Sequence, residues 1–297
     1  MKNKIMLYYE FDEIELSIID GGYYFRYNQH LYSFEKIYDV NNLKLILNIL
    51  DKIGYRKSFK LIANIYNEYF TNIDGFWYGL FLHNINTTSI LQEILNLPLL
   101  PLNIVSKVSL VSWDSLWISK IDYYEYQKRH ILNVYPLIEE SFNYYIGLAE
   151  NAIAYVKYNA VFQNNGYQKL YLCHKRISHT NFFHPLNMTV DYYSRDVAEY
   201  IKFLFFSNKY QDFSFCTFFR SLNFSYNDFI LFYARLLFPS YYFDVYDKII
   251  NKTCDEDKLR PILRRIDEYN EFLCYIYDQI CLIVKIPGVL WLKKEML

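Results

Sequence analysis

The sequence predicts an α+β fold in two lobes: a small, mostly β N-lobe over residues 1–95 and a larger, mostly helical C-lobe over 96–297. Three observations lead there. Short segments rich in Tyr, Ile and Phe, cut by turn residues, fill the start of the chain. Apolar residues change to helical spacing after about residue 86, and a proline-rich "LPLLPL" at 97–102 lies close to the change.

In the N-lobe, "ELSIID", "YYFRYN" and "LYSFEKIYD" read as three strands separated by Gly21-Gly22 and Asn28-Gln29. Next, "NNLKLILNILDKIG" offers an Asn cap, an apolar run of helical length and Gly54 as a stop. Two further strands, "FKLIANIYN" and "FWYGLFLHN", flank a polar turn around Asn72, Asp74 and Gly75. The predicted order is three strands, a helix and two strands.

In the C-lobe, Val197, Tyr200, Ile201, Leu204 and Phe205 recur at helical spacing and mark one buried face. Ser225 followed by Asp228 opens a helix that Pro239 ends. Ile266, Tyr269, Leu273, Ile276, Tyr277 and Ile280 repeat the spacing near the C-terminus.

Composition narrows function. The chain carries 31 basic and 32 acidic residues, mixed along its length, so no basic stripe invites nucleic acid. "KLRPILRR" at 258–265 reads as the solvated face of a helix. The start holds Glu10, Asp12 and Glu13 too early for a secretory apolar core, and "ICLIVKIPGVLWL" is too short to span a bilayer. The five cysteines are irregularly spaced and read as reduced, mostly buried thiols of a cytosolic protein. Aromatic residues make up 21%, with 33 Tyr and 24 Phe; AT-rich codon usage accounts for most of that excess, and an adhesive surface for the remainder.

The chemistry-bearing stretch is "HKRISHTN", followed by "VDYYSRDVAEYI". It places His174, Arg176 and Asn181 in one loop, Asp191 shortly after, and Asp196 at the start of a helix. Cys173, His174, His179 and His184 give neither helix-face pairs nor a C-x-x-C hook, which argues against zinc. Nor is there a G-x-S-x-G to carry a hydrolase nucleophile.

These residues, together with the lobe order, resemble protein-kinase-like phosphotransferases of the aminoglycoside and choline kinase type, whose catalytic loop reads H-G-D-x-x-x-x-N. "WDSLWISKIDYYEYQ", "NYYIGLAENAI", "SRDVAEYIKF" and "LLFPSYYFDVY" resemble more narrowly the spore coat-associated, kinase-like proteins of Bacilli, of the YutH type. This second resemblance spans roughly residues 110 to 250. It implies a bilobal protein-kinase-like fold, a location in the spore coat or the cytoplasm, and protein partners in the coat.

Carried onto this sequence, the resemblance assigns His174 to the structural histidine of the catalytic loop and Arg176 to the place of the base Asp. Asn181 and Asp191 fall on the metal positions, Lys36 on the phosphate-contacting lysine, and Gly21 and Gly22 on the phosphate loop. The departures point to lost catalysis. Arg176 stays charged and cannot accept a proton. The helix after Lys36 lacks the partner glutamate, and "IDGG" is not a G-x-G-x-x-G loop. A cation at 176 is expected to pair with an acid such as Asp191. Two functions therefore stand. One is a pseudokinase that acts by binding and needs no cofactor. The other is an active small-molecule phosphotransferase using ATP and Mg, with a base drawn from acids such as Asp114, Asp122 or Glu125. Glu150 reads as a helix residue.

Overall fold

The computed structural model describes all residues except 20, 85, 109, 132–133, 161–168 and 294–297. The chain forms two compact units: Met1–Glu93 with His174–Thr189, and Ile94–Cys173 with Val190–Leu297.

The first unit is an antiparallel sheet with helices. Helix α1 (Lys2–Tyr9) precedes β1 (Ser17–Ile19), β2 (Gly22–Tyr27) and β3 (His30–Lys36). Helix α2 (Val40–Lys52) follows, then β4 (Lys60–Ile62), β5 (Thr71–Ile73) and β6 (Phe76–Leu82). The sheet order is β1-β2-β3-β6-β4, with β5 pairing the other end of β6.

Turn chemistry sets the register. Asn28 (φ 47°) and Gln29 (φ 67°) close β2 on β3, and Asp74 (φ 53°) and Gly75 (φ 83°) close β5 on β6. Two successive left-handed residues make the tight turn that matches strand twist. Helix α2 is capped by Asp39, whose side chain accepts from the Asn42 amide at 2.9 Å, so the cap lies two residues before the predicted "NN". It stops at Gly54 (φ 66°), as expected.

Two features differ from the sequence reading. The segment 59–67 is not one strand: β4 ends at Ile62 and the chain turns at the buried Asn64. The Asn64 side chain accepts from the amides of Tyr66 and Glu68, both at 3.0 Å, replacing ladder bonds and leaving β5 to form later. Helix α1 was not foreseen, because only Ile5 is buried on it and no apolar stripe announces it. Ile5 packs with Phe25, Phe34, Ile73 and Leu80 on one face of the sheet. The opposite face packs Phe59, Leu61 and Phe81 against Leu43 of α2 and, partly buried, Phe183 and Leu186.

The second unit is helical. It begins within α3 (Ile90–Leu95) and continues through α4 (Leu102–Val105), α5 (Trp113–Lys128) and α6 (Pro136–Asn159). The strands β7 (Tyr171–His174) and β8 (Met188–Asp191) pair, and "LPLLPL" lies alongside β7 through a bridge from Leu99 to Tyr171. Then come α7 (Tyr193–Phe206), α8 (Phe215–Ser221), α9 (Tyr226–Leu237), α10 (Ser240–Ile250), α11 (Arg260–Leu263), α12 (Ile266–Cys281) and α13 (Leu290–Lys293). The predicted faces of α7 and α12 are buried, apart from partly exposed Ile266 and Tyr277. Among the described residues no helix is long and apolar enough to cross a membrane.

Aromatic residues dominate this core. Tyr145 stacks on Tyr242 at 3.8 Å, Tyr124 on Phe243 at 4.6 Å, and Trp117 on Phe238 at 4.5 Å. Two of the polar tips are bonded: Tyr124 donates to Asp247 at 2.8 Å, and the Tyr242 hydroxyl shares a 3.0 Å hydrogen bond with Ser141. Only Cys173 among the cysteines is fully buried; the other four are partly exposed, fewer buried than their spacing suggested.

Helix α9 begins with a reciprocal cap: Ser225 accepts from the Asp228 amide, and Asp228 accepts from the Ser225 amide at 2.8 Å. Ser225→Ala is expected to cost about 1 kcal/mol. It should be read as a lower urea midpoint at unchanged slope.

Candidate functional site

Within the first unit, β2, β3 and the segment 174–189 surround a cavity of about 840 Å³. The segment belongs to this unit rather than to the remainder of 96–297, because it is bonded to the sheet. The Phe59 amide donates to the Phe183 carbonyl at 2.9 Å, and His184 Nε2 lies 2.9 Å from Glu35 Oε1.

Asn187 holds the loop itself. Its side chain accepts from the Arg176 amide at 3.1 Å and donates to the carbonyls of Arg176 at 2.8 Å and Asn181 at 3.2 Å. Sequence reasoning passed over Asn187, since a single Asn in "HPLNM" carries no signal of its own. Asn181, a predicted metal position, accepts from Ser178 Oγ at 2.5 Å and lines the cavity. His174 is buried and stacks on Phe182 at 3.9 Å. The Arg176 guanidinium donates to the Lys175 carbonyl at 2.6 Å.

Strand alternation decides what β3 presents. Glu35 lines the cavity, whereas Lys36 extends its Nζ over the Phe76 ring, 3.2 Å from the centroid, and towards Tyr38. Neighbouring residues in a strand face opposite sides, so the lysine and the cavity are on different faces. Gly21 (φ 83°) forms the turn before β2, and Gly22 lines the cavity. A Cβ at Gly22 would come 3.0 Å from the Tyr24 ring and 3.1 Å from Glu35 Cγ. Gly22 thus makes room for Glu35.

Around Glu35 the electrostatics are specific. Burial opposes its charge, but hydrogen bonds from His184 and Ser33, with the electrostatic pull of the His184 and His83 rings, outweigh it and hold the carboxyl below its ordinary range. His184 Nδ1 accepts from the Leu186 amide at 3.1 Å, so the Nε2–H is the one that donates to Glu35. His83 stacks on Phe59 at 4.0 Å and shares a 2.8 Å hydrogen bond with Ser33. Burial, then the proximity of His184, push its pKa down to about 4 against the pull of Glu35.

In the helical unit, Asp191 is buried at 5% exposure. Its carboxylate accepts from the Trp113 indole at 3.0 and 3.2 Å, from the Tyr192 amide at 2.8 Å and from Arg195 at 2.6 Å. The guanidinium paired with Asp191 is therefore that of Arg195, not Arg176 as expected. Nearby, Glu199 accepts from Arg235 at 3.1 Å, and Lys202 donates to the Phe238 carbonyl at 2.9 Å and to Ser240 at 3.0 Å. Burial first, and the charges of Asp196 and Asp191 next, push the Cys173 thiol well up, so it stays protonated.

These residues do not fit a magnesium ion. Asp191 already holds a guanidinium and an indole, and the Asn181 oxygen is taken by Ser178. No group of three or more His, Cys, Asp or Glu arranged for a metal occurs among the described residues.

Comparison with known proteins gives the family. Residues 2–276 match the model described as "Spore coat putative kinase YutH". The chain belongs to the YutH family. A curated relative, the endospore coat-associated protein YutH of Bacillus subtilis (strain 168), is 28% identical over 210 residues. That match spans 61% of this chain and 61% of the relative's length.

Solved structures share the fold. An aminoglycoside phosphotransferase from Alicyclobacillus acidocaldarius subsp. acidocaldarius DSM 446 covers 95% of this chain and 97% of its own, at TM-score 0.57 and 10% identity. A spectinomycin phosphotransferase bound to AMP covers 93% and 96%, at 0.55 and 12%. The same enzyme with ADP and spectinomycin covers 91% and 92%, at 0.52 and 12%. The YutH-family chain thus has the α+β, kinase-like fold of aminoglycoside phosphotransferases.

The low pKa of His83 makes stability pH-dependent. The unfolded chain takes up this proton near pH 6.5 and the folded chain only near 4. Stability is therefore full above 6.5 and falls as pH drops towards 4. His83→Gln keeps a hydrogen-bonding side chain but cannot titrate. Urea midpoints measured across this window should decline less steeply in the variant than in the wild type.

Proposed function

We propose that this member of the YutH family is a pseudokinase of the spore coat, acting through binding to coat proteins and not through phosphoryl transfer. The observation that carries the reading is the state of Asp191. In phosphoryl transfer of this type a carboxylate at that position holds the metal that neutralises the phosphates. Here its lone pairs face the Trp113 indole, a backbone amide and Arg195. A charge-assisted bond at 2.6 Å, with Asp191 buried and Arg195 partly so, is a strong competitor for any dication.

Two further features support the same reading. A guanidinium at 176 supplies no basic lone pair, and losing a positioned base removes about 10²–10⁴ in rate. On the strand where a kinase offers its lysine, the group lining the cavity is the Glu35 carboxylate, which repels phosphate. The coat assignment rests on family membership and on the name of the Bacillus subtilis relative.

The test is nucleotide binding. A ligand of the native state at a hundred times its Kd adds about 2.7 kcal/mol, an easily measured melting shift. Millimolar Mg–ATP is expected to produce none, and labelled γ-phosphate to reach neither water nor any acceptor. A clear ATP-dependent shift accompanied by transfer would overturn the proposal.

A further inference from the structure

Helices α5 and α6 lie side by side in the helical unit. Lys128, at the end of α5, donates to Asn143 near the start of α6 at 2.8 Å, so the two run antiparallel. Between them runs a groove of about 240 Å³. Its floor is apolar: Ile121 is buried, Ile153 half-buried and Ile118 39% exposed. Three exposed carboxylates stand along it, Asp122 and Glu125 from α5 and Glu150 from α6. Among the described residues none of the three has a hydrogen bond or an ion pair.

The cations of the same two helices do not neutralise them. Lys120 lies 3.8 Å from Asp247, and Lys128 reaches Asn143 and the Phe142 ring. Lys157 lines the groove, but about two helical turns along α6 from Glu150. Helix α5 is also apolar on its outer side, where Leu116, Tyr123 and Tyr126 are exposed. A surface helix is ordinarily polar there, and an exposed apolar face of this kind marks a surface that something covers.

Volume and charge decide what fits. Small-molecule sites run to about 300–1,000 Å³. The groove is smaller and suits one or two side chains of a partner protein better than a whole metabolite. Three acids against one lysine leave the lining negative. Lysine and arginine complement it on both counts, because their methylene stems cover isoleucines while their charged heads reach carboxylates. A hydrated metal ion would leave the floor uncovered.

We propose that the α5–α6 groove docks a basic amphipathic segment of a partner protein. One aliphatic side chain sits on Ile118, Ile121 and Ile153, and flanking lysines or arginines pair with Asp122, Glu125 and Glu150. This deepens the pseudokinase reading and rests on it: a chain that acts by binding is given a surface and a partner chemistry.

The experiment uses three fluorescein-labelled helical peptides on one leucine framework, with Lys, Gln or Glu at the polar positions, and reads anisotropy on the full chain. The Lys peptide should bind at least about tenfold more tightly than the Gln peptide, and the Glu peptide most weakly. Combining Asp122→Asn, Glu125→Gln and Glu150→Gln, all at exposed positions, should erase that preference. The same loss of charge on α12, by Asp267→Asn, Glu271→Gln and Asp278→Asn, should leave it intact. On the wild type, a photoreactive leucine in the Lys peptide should label 118–126 or 150–158, which locates the site without any variant. No binding at millimolar peptide, equal binding of Lys and Gln peptides, or equal loss in both triple variants would each overturn the proposal. So would self-association of the chain that the groove substitutions abolish, since a second copy would then be the occupant. Mg–ATP titrated separately reports on the pseudokinase reading: nucleotide binding with transfer removes that reading, whereas failure of the peptides alone leaves it standing.

Discussion

A carboxylate buried to the extent of Asp191 needs donors and a counter-charge, since desolvating a charged group costs several kcal/mol. The arrangement of the helical unit follows from meeting that need. Trp113 opens α5 with its indole on Asp191, and Arg195, in the first turn of α7, brings the guanidinium. Trp113 in turn lies under Arg235 of α9, 5.1 Å from the ring centroid, and Arg235 bonds Glu199 of α7. The start of α5, the end of β8 and two central helices are thereby fixed by one connected set of charges and rings. Truncating a member of such a set leaves an uncompensated charge, which is strongly destabilising.

The first unit is held by a different logic. Its sheet has short strands, and the 174–189 segment adds the other wall of the cavity through His184 and the Phe59–Phe183 backbone bond. Asn187 then gives the loop its shape from a single buried amide.

How much of this was legible depended on whether the signal was local. Strands β2, β3 and β6, the stop at Gly54 and the Ser225–Asp228 cap were readable because turn residues and caps act on their own neighbours. Helix α1 and the break at Asn64 were not, because one buried Ile5 and one asparagine bonding to its own backbone leave no periodic trace. Among site residues, the loop motif placed His174, Arg176, Asn181 and Asp191 in sequence. What it could not tell was which of two adjacent residues, Glu35 or Lys36, would face the cavity, since a one-residue change in register exchanges the faces of a strand. The identity of the Asp191 partner was hidden for a related reason: an Arg four residues later reaches it only once β8 has turned into α7.

The stacked tyrosines of the helical core carry a spectroscopic consequence. Burial, helped by neighbouring phenols and carboxylates, raises the pKa of Tyr124, Tyr145, Tyr233 and Tyr246, and takes Tyr242 up to about 12. In the folded chain these phenols keep their protons well past the alkaline range in which a free tyrosine loses its own. The unfolded chain does not, so stability drains away as pH climbs through 10. Phenolate absorbance in alkali therefore has two sources here, an early one from surface tyrosines and a late, cooperative one from the core. The second makes the protein's own colourless ring system a gauge of whether its interior is still closed.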